Sequence, residues 1–181
     1  MPRQADPELE QRILNEAHKL WSQGGEQALS MRVLARRART NTPAVYRRFR
    51  NRKAILRALV QRARQELRAK LEACTSLQEV AHRVLEFALS RQREYQLLTS
   101  GLIASVSETR PNFEFVLERS AQWLGGSPKD HVSLVLALWA LIHGTASLLI
   151  SKTVAPEHIK QMHSAFSAAV QTLLRESKIH A

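Results

Sequence analysis

The sequence predicts an all-α chain of about nine helices: a basic three-helix helix-turn-helix unit, a long connecting helix and a near-neutral helical body. Three observations carry that prediction. The 181 residues include six glycines, six prolines and few β-branched runs, leaving long stretches of Ala, Leu, Arg, Gln and Glu, which lose least on entering a helix. Apolar residues recur at three- and four-residue spacing in successive segments, most of them bounded by a cap or a breaker. The positive charge sits at one end: residues 1–72 hold 17 Lys and Arg against 7 Asp and Glu, the remainder 10 against 9, so the net +11 divides as +10 and +1. With 44% apolar residues, the chain has enough to bury for a real core.

Taken in order, Asp6 and Pro7 are suited to open the first helix as N-cap and first helical residue. Leu9, Ile13, Ala17, Leu20 and Trp21 then share a face, and Gly24-Gly25 is expected to stop it. Behind a Ser30 cap, Met31, Leu34, Ala35 and Ala38 form a second short helix; after a polar break, Val45, Tyr46 and Phe49 form a third. Neither short helix holds alone in water, so the first three must share a core, which makes a helix-turn-helix unit. Asn51 caps a fourth helix running to about Ala73, with Ile55, Leu56, Leu59, Val60, Ala63, Leu67 and Leu71 on its apolar face. At ~1.5 Å per residue it spans roughly 30 Å, enough to connect two modules rigidly.

The body continues the pattern. Ser76 to Glu79 reads as a capping box ahead of Val80, Val84, Phe87 and Ala88. Leu97, Leu98, Leu102, Ile103 and Val106 predict a helix ending before Arg110-Pro111, and Phe113, Val116, Leu117 and Trp123 predict another from about Asn112 to Leu124. Ser127 to Asp130 starts a helix through Val132–Ile150 that carries no Asp, Glu, Lys or Arg. Its length suits a membrane span, but Ser133, His143, Gly144, Thr145 and Ser147 interrupt it, and a helix apolar all round is usually a buried one. The last helix carries Ile159, Met162, Phe166, Ala169, Val170 and Leu173, a narrow seam suited to a partner chain.

Charge and composition bound the chemistry. No Asp or Glu occurs between Glu26 and Glu66, an interval holding twelve Lys and Arg, and such a concentration repels itself unless a polyanion neutralises it. In a helix-turn-helix unit the second paired helix enters a major groove and the first lies across the backbone. Cys74 is the lone cysteine, which excludes a disulfide framework and points to a reducing, cytoplasmic setting. The N-terminus lacks the apolar run of a secretory signal. His158 and His163 stand five apart, off the spacing that puts two ligands on one helical face, so no metal site is expected. No cofactor motif and no catalytic constellation is legible, which argues against an enzyme.

The order Ser30, Leu34-Ala35, Ala38, a three-residue turn Arg39-Thr40-Asn41, Val45-Tyr46, Phe49 and Arg52 resembles the TetR family of bacterial transcriptional regulators. About 45 N-terminal residues carry the resemblance, and Trp139 to Gly144, WALIHG, is similar to a segment found in part of the family. The turn departs from the family's Gly-Val-Ser: Arg39 stands where Gly usually takes a left-handed conformation, at a cost of about 1 kcal/mol, and Thr40 replaces a buried Val.

The resemblance implies a DNA-binding domain over residues 1–50 and an effector-binding and dimerisation domain over 51–181, with 51–73 as the connecting helix. It implies a recognition helix Thr42 to Phe49, capped by Asn41, with Thr42, Pro43 and Ala44 at the groove floor and Arg47 reaching guanine. Arg39, Thr40, Tyr46, Arg48, Arg52 and Lys53 complete the DNA-binding set, chiefly through phosphates; Tyr46 is alternatively core, and Arg3 an N-terminal arm. It also implies a homodimer through the last two helices, about 128–152 and 156–176, and hence a palindromic operator on double-stranded DNA. An unknown small-molecule effector would meet Phe87, Tyr95, Trp123, Trp139 and His143, for which the alternative is ordinary core. The expected function is a sequence-specific repressor released by that effector. Two other readings stand beside it: a helical nucleic-acid-binding protein without sequence preference, and a small-molecule-binding or enzymatic body with an incidental basic head.

Overall fold

The apolar periodicities fold into nine α-helices in the computed structural model, which describes residues 8–99 and 111–179. The Asp6-Pro7 helix start, the Arg3 arm and the expected continuation of the sixth helix through Leu102, Ile103 and Val106 lie outside the described residues.

Helix α1 (Leu9–Ala28) buries Leu9, Ile13, Ala17, Leu20 and Trp21 on one face. The Gly pair bends this helix instead of ending it: Gly25 takes φ +61°, ψ −144°, a conformation open to glycine, and helical structure resumes to Ala28. Helix α2 (Met31–Arg37) starts at Ser30, whose hydroxyl accepts from Val33 N at 3.1 Å. Helix α3 (Thr42–Arg48) starts at Asn41, whose Oδ1 accepts from Ala44 N at 2.8 Å. Asn51 does the same for α4 (Arg52–Glu72), accepting from Ala54 N at 2.9 Å. Each cap satisfies a backbone donor that its helix cannot, which is how seven-residue helices begin where their sequence dictates.

Five further helices make the body: α5 (Leu77–Ser90), α6 (Gln92–Thr99), α7 (Pro111–Leu124), α8 (Val132–Ile150) and α9 (Ile159–Ile179). At the α5 start the capping box is shifted by one residue. Ser76 Oγ accepts from Glu79 N at 3.2 Å, but the Glu79 carboxylate receives Thr75 N at 2.7 Å in place of the Ser76 amide. The Ser127–Asp130 box is complete and opens a single 3₁₀ turn, Pro128–His131, from which α8 continues.

Two apolar clusters form. One joins α1, α2, α3 and the first half of α4 through Ile13, Trp21, Leu34, Val45, Phe49, Ile55 and Leu59. The other joins the second half of α4 to α5, α7, α8 and α9 through Leu71, Leu85, Phe87, Phe115, Leu138, Phe166 and Val170. Helix α6 is shared: Leu97 belongs to the first cluster and Tyr95 to the second.

Two expectations about the last helices change. Helix α8 is not buried all round: Val135, Leu138, Ile142 and Ala146 face the body, while Leu136, Trp139 and Leu148 stay 40–42% exposed over the other half of its circumference. The Phe166 and Val170 part of the α9 seam, expected to meet a partner chain, is buried at 2% and 0% within its own body. Both follow from packing α8 and α9 side by side on α5: each helix spends one stripe on the shared core, and α8, apolar on every side, has the most apolar surface left over.

Candidate nucleic-acid interface

The turn between α2 and α3 sets how the third helix is presented. Arg39 takes φ +52°. Thr40 N donates to Ala35 O at 2.9 Å and Arg39 N to Arg36 O at 3.2 Å, the paired bonds of a Schellman closure with an arginine in the place glycine usually fills. The backbone route is therefore the ordinary one, and the departure from glycine is carried as local strain.

Val45 and Phe49, four apart and buried at 0% and 6%, define the inward direction of α3. At 100° per residue, Pro43, Tyr46 and Arg47 then point away from the core, and all three are exposed. Tyr46 is 51% exposed, which removes it from the core. Ala44, expected at the groove floor, is 5% exposed and packs in the first apolar cluster, because it lies on the Val45 side of the helix. Thr40 and Thr42 are half-buried at the rim, and Asn41 is engaged as the cap. Arg48 is half-buried; Arg39 and Lys53 are exposed.

Arg52 is engaged within the chain. Its guanidinium Nη2 donates to the backbone carbonyl of Glu26 and lies 3.3 Å from Glu26 Oε1, so it ties the end of α1 to the start of α4. Two other residues belong to the basic surface and were missed. Arg32 and Arg36 are exposed on α2, four residues apart on one side of the helix, while Leu34, Ala35 and Ala38 are buried. Arg50 is exposed in the turn that follows α3. The signal for Arg32 and Arg36 is the helical wheel: once the buried positions are chosen, these arginines fall on the exposed side.

The five residues expected around an effector part company. Phe87 is 1% exposed and fills the body core. Trp139 is 40% exposed on the outer half of α8, and Trp123 is half-buried with Arg119 above its ring at 5.9 Å. Tyr95 and His143 do meet: Tyr95 Oη and His143 Nδ1 are 3.2 Å apart, joining α6 to α8. Burial of Tyr95 pushes its phenol up to about 12, so it stays protonated at neutral pH. An open polar cleft of about 410 Å³ lies elsewhere, between α1 and the α5–α6 corner, and none of the five lines it. Among the described residues no group of three or more His, Cys, Asp or Glu is arranged to hold a metal.

A capped helix pair closed by a Schellman turn, with Pro43, Tyr46 and Arg47 exposed on its second helix, is the geometry of a groove reader. Two family models match this chain: bacterial regulatory proteins of the tetR family over residues 13–59, and the tetracyclin repressor-like C-terminal domain over residues 77–173. The chain belongs to the TetR family. Members of the TetR family are transcriptional regulators and not enzymes. No curated protein matches the sequence. Among solved structures, the chain is similar to a protein of unknown function from Rhodococcus sp. RHA1, with 22% identity over 97% of this chain and 98% of that one and a TM-score of 0.71. A TetR variant from Acinetobacter baumannii AYE in complex with minocycline has 22% identity, covers 96% of each chain and gives 0.66. The multidrug binding protein EbrR complexed with imidazole has 21% identity over 96% of this chain and 93% of that one, also at 0.66. These identities speak for the fold alone; the TetR regulators bind DNA as dimers.

Proposed function

We propose that this TetR-family regulator is a cytoplasmic homodimer that reads a palindromic operator with α3, represses from it, and is released by a small molecule bound in the body. The observation that carries the DNA-reading part is the outward set Pro43, Tyr46 and Arg47 on α3, with Arg50 exposed just beyond it, in a stretch with no Asp or Glu from residue 27 to residue 65. Arg47 and Arg50 have the reach for guanine edges, while Arg32, Arg36, Arg39 and Lys53 suit phosphates. Helix α4 belongs to both apolar clusters, its first half to the reading head and its second half to the body, which supports its role as the connecting helix.

Support for the dimer comes from the outer half of α8, where Leu136, Trp139 and Leu148 stand exposed beside the equally exposed Ile159 of α9. A second copy packed there would remove apolar surface that one chain leaves in water and set two α3 helices on one face of DNA. Small-molecule release is supported by the family and by the ligands in its TetR and EbrR relatives. The test is binding to a palindromic duplex selected from a random library against random duplex at the same salt. The expected preference is at least ~1000-fold; a ratio near one refutes sequence-specific regulation and leaves the charge-only reading.

A further inference from the structure

Glu94 is 5% exposed, and its contacts lie between the two clusters. Its Oε1 accepts from Ser22 Oγ at 2.6 Å, and His18 Nε2 lies 3.1 Å from the same oxygen, close enough to pair when protonated though not aligned as a hydrogen bond. His18 and Ser22 are four apart, so one face of α1 offers both groups. One residue earlier, Trp21 Nε1 donates to Arg93 O at 3.2 Å. The Arg93 guanidinium reaches the Gly25 bend as well, with Nη1 2.9 Å from where a Cβ at Gly25 would stand. Residues 93 and 94 thus hold α1, Leu97 enters the first apolar cluster, and Tyr95 between them enters the second and meets His143 on the outer half of α8.

We propose that Glu94 is a positioning residue for operator binding, a buried latch that holds the reading head at one angle to the body and links that angle to the α8 face. The inference rests on the DNA-reading function above. The physical reason for a carboxylate is directionality. Leu97 gives attraction without direction, so α6 can slide or turn against α1 with little loss. A buried carboxylate is costly unless its partners are in place, so Glu94 favours the one register in which Ser22 and His18 both reach it. Because Glu94 and Tyr95 are adjacent residues of α6, that helix cannot turn against α1 without disturbing Tyr95–His143 as well.

The latch is tested in the full chain with spin labels at Arg36→Cys on α2 and Glu118→Cys on α7, in a Cys74→Ala background and diluted with unlabelled protein so that only intrachain distances are read. Ser22→Ala and Glu94→Leu are compared with the parent; the leucine fills the buried site without a charge, and Ser22→Ala alters the α1 side alone. Both are expected to widen the head-to-body distance distribution at unchanged helicity. Both are expected to weaken binding to the selected palindrome about tenfold, with random-duplex binding unchanged. Distributions as narrow as the parent's in both variants overturn the latch, as does an equal loss on palindrome and random duplex accompanied by lower helicity. If the parent itself prefers no duplex, the regulator reading falls and the operator role falls with it, while the distance widths still decide the mechanical latch.

Discussion

Replacing Arg39 separates two contributions that the wild-type residue combines. Its φ of +52° places a Cβ in the left-handed region, which costs about 1–2 kcal/mol relative to glycine, while glycine adds about 0.5–1 kcal/mol of unfolded-state entropy. Arg39→Gly is therefore expected to be more stable than Arg39→Ala by about 0.5–1 kcal/mol. For a chain of this size that is a rise in Tm of roughly 1–4 °C. The Schellman bonds from Thr40 and Arg39 are main-chain and survive in both variants, so the comparison isolates the strain. Both variants lose the same guanidinium. If it touches a phosphate, the slope of log K against log salt on random duplex falls by about 0.9 in each. Calorimetry and salt-dependent anisotropy measure the two effects independently. A glycine variant no more stable than the alanine variant refutes the strain argument; an unchanged salt slope in both removes Arg39 from the DNA surface.

The remaining predictions concern the reading helix, the α1–α4 tie, the α8 face and the capping carboxylates. Ala44→Leu overfills the first apolar cluster and is expected to cost about 1–3 kcal/mol of stability, whereas Arg47→Ala leaves stability near wild type and changes the preferred site; denaturant unfolding and site selection check both. Arg52→Ala is expected to leave the salt slope unchanged, because the Glu26 backbone carbonyl and carboxylate hold the guanidinium; a slope lower by about 0.9 in salt-dependent anisotropy would instead assign Arg52 a phosphate. Leu136→Glu, a charge on the outer half of α8, is expected to weaken self-association at least ~100-fold in sedimentation equilibrium without loss of helicity. Hydrogen bonds from Thr75 and from Ser127, in each case first from the backbone amide, hold the Glu79 and Asp130 carboxyls below their ordinary range. A depressed carboxyl stabilises the fold above its unfolded pKa and loses that contribution as pH falls through the folded one, so stability is expected to drop below about pH 4. In Glu79→Gln and Asp130→Asn that drop should flatten, as read by denaturant unfolding at stepped pH.

What the sequence determined by itself was local. Ser30, Asn41, Asn51 and Ser76 announce where helices begin because each cap bond spans only three residues, and the apolar spacing names the inward face of each helix. The family resemblance lay in the same kind of signal, a short run of core and cap residues between Ser30 and Arg52. The tertiary structure decided everything that depends on which element packs against which. Whether Tyr46 or Ala44 faces out depends on how Val45 and Phe49 seat against α1 and α4, and whether Arg52 is available depends on Glu26 returning from 26 residues away. Nor does any spacing foretell that Ser22 meets Glu94 across 72 positions, or that α8 spends half its apolar surface inward and leaves half exposed. Periodicity gives a residue's direction around its own helix axis; only packing of the whole chain decides what waits in that direction.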